Sequence, residues 1–216
     1  MAYITEPEIE QYLTDLVPPR DLPLAAVEAE AAARRLPIVG PLEGQFLSIL
    51  VGSARARRVL ELGTAVGYSA IWFGRAVAPR GGTVLTIERD PARAGEARQH
   101  LANLGLSGVV TVQEGDAVVV LRQLSDQFDI IFNDLLRSLG DPKLMPWLVD
   151  RCVDLVAPGG LIIADNALHA GEVIGTPPSR GAEAVQLYNR LASEDPRLET
   201  VVVPIRDGIA LSRRRE

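Results

Sequence analysis

The chain has 216 residues, 47% of them hydrophobic, and 22 Lys plus Arg against 28 Asp plus Glu give a formal net charge of −6. That length supports one α/β domain with a sizeable core, while the negative charge argues against a nucleic-acid partner held by electrostatics. A single cysteine, Cys152, excludes a disulfide within the chain, Met1 to Glu10 is polar and acidic, and no apolar run would span a bilayer, so a cytoplasmic protein with no membrane partner is expected.

Ile4 to Val17 reads as a short helix stopped by Pro18-Pro19, and alanine- and glutamate-rich Leu24 to Arg35 reads as a second. Two prolines and a glycine make 36–41 a loop. Leu42, Phe46, Leu47, Ile49 and Leu50 then mark one face of a third helix. Residues 1–57 are thus expected to be an N-terminal helical extension of a single domain, 1–216, whose core is 58–216. From Arg58 the pattern alternates between strand and helix. Strand 58–62 leads to helix 67–78, and strand 83–88 to helix 91–104, with Asp90-Pro91 as cap and first residue. Strand 109–113 leads to helix 117–124, and strand 128–133 to a loop and helix 142–156, closed by Pro158-Gly159-Gly160. Strand 161–164, helix 181–193 and two β-rich runs, 199–204 and 208–212, complete the chain, the last two around a turn at Asp207-Gly208. Such alternation predicts an α/β fold, a doubly wound, mostly parallel seven-stranded sheet with helices on both faces. The final pair predicts an antiparallel C-terminal hairpin.

The most informative stretch runs from Val59 to Trp72 and contains Glu61-Leu62-Gly63-Thr64-Ala65-Val66-Gly67-Tyr68-Ser69. It reads as strand, glycine turn, helix. Gly63 and Gly67 let the backbone turn sharply and let a ligand approach, and the helix that follows aims free N–H groups at the turn. The G-x-x-x-G spacing matches neither the nicotinamide and flavin fingerprint nor the P-loop. It resembles the first motif of class I S-adenosylmethionine-dependent methyltransferases, whose Rossmann-like fold also ends in an antiparallel hairpin. Trp72 and Phe73 follow in the helix and read as core, while Trp147, after the loop, faces either core or acceptor.

In doubly wound folds ligands sit at the carboxyl ends of the strands. Glu88 ends the second strand, where a carboxylate can accept both ribose hydroxyls or simply face solvent. Asp116, before Ala117, can accept from an adenine amino group or cap the next helix. Glu61 can reach a methionine amino group or stay a core-edge acid. Asp134 ends the fourth strand, and Asp165-Asn166 the fifth. Two carboxylates and an amide oxygen on adjacent strand ends make an all-oxygen set suited to Mg²⁺, Mn²⁺ or Ca²⁺. The other reading is two unrelated loop acids with Asn166 capping a turn.

These strand ends resemble those of cation-dependent O-methyltransferases similar to catechol and caffeoyl-coenzyme A O-methyltransferases. The resemblance implies Asp134, Asp165 and Asn166 as metal ligands. It implies Glu61, Gly63, Ser69, Glu88 and Ala117 as cofactor residues, with Val39 in the entry loop. Thr64 and Gly67 of the turn, Asp116 and Asp134 complete the expected cofactor set. Members are commonly dimers, so a homodimer is expected. One departure stands out. The family reads F-x-D-x-D-K at the fourth strand, whereas this chain has Phe132-Asn133-Asp134-Leu135-Leu136-Arg137, and the loop to Pro146 is longer.

The expected reaction is methyl transfer from S-adenosylmethionine to a hydroxyl of a small catechol-like acceptor, assisted by a divalent cation that lowers the acceptor's pKa. Arg137 stands at the family's lysine position yet cannot act as a base. Two candidate bases remain. Lys143 is the only lysine beside 21 arginines, and a cation pair or desolvation by Leu135, Leu136 and Leu144 would lower its pKa. His169 follows Asn166 by three residues and titrates near neutrality by nature. The departures also motivate two alternatives, a metal-independent natural-product methyltransferase and a catalytically silent binding module.

Overall fold

The computed structural model describes residues 6–216. Helix α1 spans Pro7–Asp15, shorter than the expected 4–17, of which residues 4 and 5 lie outside the described residues. Helix α2 (Leu22–Arg34) starts at Asp21, whose side chain accepts the Leu24 N–H at 3.2 Å, and stops at Arg35 in the left-handed region. Helix α3 (Gly40–Ser53) takes Gly40 and Pro41 into its first turn, where the sequence predicted a loop to 41. Proline lacks only an N–H that the first turn leaves unused, so it opens a helix there rather than breaking one.

Strands β1 (Arg58–Leu62), β2 (Thr83–Glu88), β3 (Val110–Glu114), β4 (Phe128–Asn133), β5 (Val156–Asp165), β6 (Leu198–Val203) and β7 (Ile209–Arg214) form one seven-stranded sheet, in the order β3-β2-β1-β4-β5-β7-β6. β2 pairs parallel with β1 and with β3, and β4 parallel with β5. β7 pairs antiparallel with both β5 and β6. This is the Rossmann-like, mostly parallel sheet with a C-terminal antiparallel pair that the alternation predicted. Among the described residues no helix is long and apolar enough to cross a membrane.

The chain divides into two compact units. Gln11–Gln123 carries β1 to β3 with helices α4 (Tyr68–Val77), α5 (Pro91–Asn103) and α6 (Ala117–Gln123). Asp90 caps α5 as expected, its carboxylate accepting the Ala92 N–H at 2.9 Å. Leu60, Leu62, Ile71, Phe73 and Ile87 form the centre of this unit's core. Trp72 is buried as well, edge-on to Tyr68 with ring centroids 6.4 Å apart. It packs so closely on α3 that a Cβ at Gly44 would lie 2.3 Å from its indole nitrogen.

Among the described residues, the second unit comprises 6–10 together with Leu124–Glu216. It carries β4 to β7 with helices α7 (Leu136–Leu139), α8 (Met145–Leu155) and α9 (Arg180–Glu194). The expected loop after Asp134 is therefore partly helical, holding α7 and a 3-10 turn, Pro142–Leu144, and α8 starts at Met145 rather than 142. A second difference lies at Pro158-Gly159-Gly160. The sequence predicted a turn before a strand at 161, but β5 already starts at Val156. Phe128 pairs with Val156 and Ile130 with Leu161, so the register shifts between them and the Pro-Gly-Gly segment bulges within the strand. Proline has no donor for the ladder, and Gly159 takes φ 76, so the segment is spliced in as a bulge instead of ending the pairing.

A Cβ at Gly160 would lie 2.7 Å from the Asp129 carbonyl oxygen and 2.8 Å from Val156 Cγ2. Gly160→Ala should therefore destabilise the fold by about 1–3 kcal/mol, the usual range for overpacking. Gly95→Ala on α5, whose Cβ would meet no atom within 4 Å, should be neutral or stabilising. Denaturant melts of both variants check this. Equal midpoints would mean that the bulge relaxes at no cost.

Candidate functional site

β1 is buried at four successive positions, Val59 to Leu62. Its period-2 side chains thus face protein on both sides, and Glu61 is carried wholly out of water. Neither carboxylate oxygen of Glu61 has a hydrogen-bond partner. The Ser69 and Thr86 hydroxyls lie near enough to favour the charged form, but their geometry closes no hydrogen bond. Burial dominates and, with a small contribution from the nearby Glu88 charge, pushes Glu61 up to about 7. Among the described residues neither oxygen of this buried acid finds a hydrogen-bond donor.

The turn after β1 is pinned to β2. The N–H groups of Gly63 and Thr64 both donate to the Ile87 carbonyl, at 3.1 and 3.2 Å. The Thr64 and Thr86 hydroxyls are hydrogen-bonded at 2.5 Å. Glu88, also buried, accepts the Ala65 N–H at 2.8 Å and the Asp90 N–H at 3.0 Å through different oxygens. A carboxylate has about four acceptor sites, so two remain for hydroxyls of a ligand. Gly63 (φ 97) and Gly67 (φ 86) occupy the left-handed region, as the spacing predicted. Ser69 is buried in the first turn of α4. Asp116 caps α6: its Oδ1 accepts the Val118 and Val119 N–H groups at 2.9 and 3.1 Å. The capping reading is thus realised, and Oδ2 remains for a ligand amino group. Ala117 is buried at the start of α6, and Val39 is buried just before α3.

In the other unit the register Asn133↔Ala164 puts Asp134 and Asp165 one step further along neighbouring parallel strands. Asn133 is fully buried and accepts the Leu135 N–H at 3.2 Å, bending the chain out of β4 at Asp134. Asp165 is buried and accepts the N–H of Asn166 at 2.6 Å, with Asn166 left-handed at φ 61. Desolvation raises Asp165 to about 6 against the opposing influence of that N–H, Arg206 and Arg137. Among the described residues no three His, Cys, Asp or Glu side chains gather as a metal site. The set here is two acids and an amide. All its donors are oxygens and one carboxylate is desolvated, which fits a hard divalent cation.

The candidate bases fare differently. Lys143 is exposed on the 3-10 turn, so it is not desolvated by Leu135, Leu136 and Leu144 as expected. Leu136, at the family's second acid position, is instead fully buried. His169 is largely shielded from solvent. Its side chain is only 12% exposed, its Nδ1 is buried without a partner, and its Nε2 lies 3.8 Å from a Glu172 oxygen. It packs on Gly181 of α9, where a Cβ would lie 2.7 Å from Nε2. Trp147 is half-buried on α8.

Asp207 escaped the sequence reading, which treated it as a turn residue. It is buried, accepts the Ala170 N–H and faces Arg137 at 3.8 Å. The Asp207 and Gly208 carbonyls accept the N–H groups of Leu168 and Ala167, both at 2.8 Å, so the C-terminal hairpin fixes the loop after Asp165. Only the order of β5 and β7 in the sheet reveals this contact. No local pattern does.

Residues 24–215 match a family described as O-methyltransferase. A catechol O-methyltransferase from Niastella koreensis is 33% identical over 216 residues, covering 94% of this chain and 95% of its own. The structure of an O-methyltransferase from Bacillus cereus in complex with S-adenosylhomocysteine aligns with a TM-score of 0.84 at 31% identity, covering 96% of this chain and 97% of that one. The O-methyltransferase TomG from Streptomyces achromogenes, involved in tomaymycin synthesis and solved with S-adenosylmethionine, aligns with a TM-score of 0.84 at 26% identity, covering 97% and 96%. These are enzymes, which replaces the reading as a silent binding module. A glycine turn after β1, an acid at each of the next strand ends and a match over nearly the whole chain lead to one conclusion: this protein belongs to the S-adenosylmethionine-dependent O-methyltransferase family.

Proposed function

We propose that the protein methylates a hydroxyl of a small catechol-like or phenolic acceptor with the help of a divalent cation, Mg²⁺ in the first instance. The observation that carries this reading is the pair of acids on neighbouring strand ends, Asp134 and Asp165, with Asp165 buried and Asn166 beside it. Its similarity to a catechol O-methyltransferase supports the acceptor class. Asp134, Asp165 and Asn166 would hold the cation, which lowers the pKa of the acceptor hydroxyl when bound. Glu61 would hold the cofactor's ammonium group, since neither of its buried oxygens has a hydrogen-bond partner. Glu88 would take the ribose hydroxyls and Asp116 Oδ2 the adenine amino group, while Gly63 and Gly67 let the backbone approach. Methyl transfer of this kind needs oxygen, methyl carbon and sulfur in line, a proximity effect. Arg137 does not give up its charge to act as a base and stands 3.8 Å from Asp207.

A second reading keeps the cofactor and drops the cation. Leu136 and Arg137 favour it, because they replace the family's acid and lysine. One experiment separates the two. With a catechol panel, turnover should need added Mg²⁺ and fall to background in EDTA, and Asp165→Asn should weaken divalent-ion binding at least ~10-fold. Turnover indifferent to EDTA would leave the metal-free reading.

Glu61 sets a pH dependence. Its pKa in the folded protein, about 7, lies above that of an exposed glutamate. In the free protein the burial cost of its charge is therefore absent in acid and appears as pH rises through about 7. A bound ammonium favours the carboxylate, so cofactor binding below that pH must expel a proton. Affinity for S-adenosylhomocysteine should fall toward tenfold per unit as pH drops below 7. Glu61→Gln should bind more weakly at high pH and lose that slope. Calorimetric titration at several pH values checks it, and an unchanged slope in the variant would remove Glu61 from the site.

The base is tested by pH–rate profiles of Lys143→Met and His169→Ala at saturating Mg²⁺. Loss of the acidic limb with cofactor affinity intact should occur in one of them. Unchanged profiles in both would assign proton removal to solvent.

A further inference from the structure

His100 belongs to no motif, yet it touches the turn that carries the cofactor residues. It lies on α5 with a side chain only 14% exposed. Its Nδ1 is 2.9 Å from the carbonyl oxygen of Val66, between Gly63 and Gly67. Its Nε2 is 3.2 Å from a Glu30 carboxylate oxygen on α2. A carbonyl can only accept. Glu30 also accepts from Arg34 at 2.6 Å, and Arg34 and His100 together hold its carboxyl below the usual range, so it too only accepts. A neutral imidazole donates from one nitrogen alone. Both contacts are satisfied at once only by the imidazolium.

The rest of the turn has other anchors. Gly63, Thr64 and Ala65 are tied to β2 through Ile87 and Glu88, and the Gly67 N–H donates to the Thr64 carbonyl at 2.8 Å. The Val66 carbonyl is held from the opposite side by α5. That helix meets the turn at two places one turn apart: His100, and Ala97, whose Cβ would lie 3.1 Å from a Cβ at Gly67. The charged groups around the ring are Glu30 and Arg34 from α2 and Glu96 from α5, which pairs with Arg34 at 3.0 Å.

We propose that His100 is a positioning residue for the cofactor: its doubly protonated ring clamps the Val66 carbonyl of the glycine turn to Glu30 of α2. The ring acts by fixing the backbone between Gly63 and Gly67. Loss of its proton sets a nitrogen lone pair against an oxygen at 2.9 or 3.2 Å, and one of the two ties opens. The inference rests on the reading that this turn binds S-adenosylmethionine.

The test is calorimetric titration of the full-length protein with S-adenosylhomocysteine from about pH 6 to about pH 9, in buffers of different ionisation enthalpy. The wild type should lose affinity on the alkaline side and take up protons on binding there. His100→Asn puts an amide N–H where Nδ1 stands and carries no charge. It should keep affinity within a few fold of wild type and lose the alkaline limb. His100→Leu, which has neither donor, should bind about tenfold more weakly at every pH. Glu30→Gln should also flatten the alkaline limb while the acidic limb set by Glu61 persists. An alkaline limb unchanged in His100→Asn would overturn the clamp. So would wild-type affinity in His100→Leu. Failure of the wild type to bind S-adenosylhomocysteine at all would overturn the cofactor reading instead.

Discussion

Charge buried without a partner is the constraint on which the first unit's arrangement depends. Glu61 sits in a strand whose neighbours in sequence, Leu60 and Leu62, are fully buried core residues, and it shares their burial. An isolated carboxylate there is costly, and a protein that keeps one has either neutralised it or left it for a ligand cation. Burial raises Glu61 to about 7, so it holds both uses open near neutrality. Ser69 and Thr86 turn hydroxyls near it without completing a bond. Thr86 is occupied by Thr64, and Glu88 by two backbone N–H groups. The polar groups nearest to it are thereby engaged elsewhere, while both Glu61 oxygens lack a hydrogen bond.

The second unit solves a related problem differently. Asp165 and Asp207 are both buried and repel one another, and two guanidinium groups, Arg137 and Arg206, offset them. Arg137 reaches Asp207 only at 3.8 Å and remains half exposed. The substitution of leucine for the family's second acid follows the same economy of charge. Leu136 lies in the core at the start of α7, where a third carboxylate would have faced the desolvation that already raises Asp165. The departure is thus a packing change as much as a change of chemistry.

Most of the fold was legible in the sequence because period and punctuation are local. β1, β2 and β4 fall at the limits that their apolar runs and glycine turns predict, and Asp90-Pro91 caps α5 as read. The left-handed Gly63 and Gly67, the strand-end position of Glu88 and the pairing of Asp134 with Asp165 follow from spacing alone, since strand alternation and parallel order decide them. Family membership was legible for the same reason, through the turn after β1.

What only the tertiary structure decided concerns burial and partners separated in sequence. A Pro-Gly-Gly segment looks like a stop, yet β4 and the register on either side absorb it as a bulge. Lys143 gains no apolar shelter from the leucines beside it in sequence, because Leu136 turns into the core while Lys143 stays on the surface. His169 is buried by Gly181, twelve residues on, which has no side chain to keep it away. The ring of His100 meets Val66 and Glu30 across 34 and 70 residues. Sequence by itself determined which elements form and which acids end the strands, because these depend on neighbours a few residues away. Solvation and charge state depend on what packs against a side chain from elsewhere in the chain, and those the folded structure alone decided.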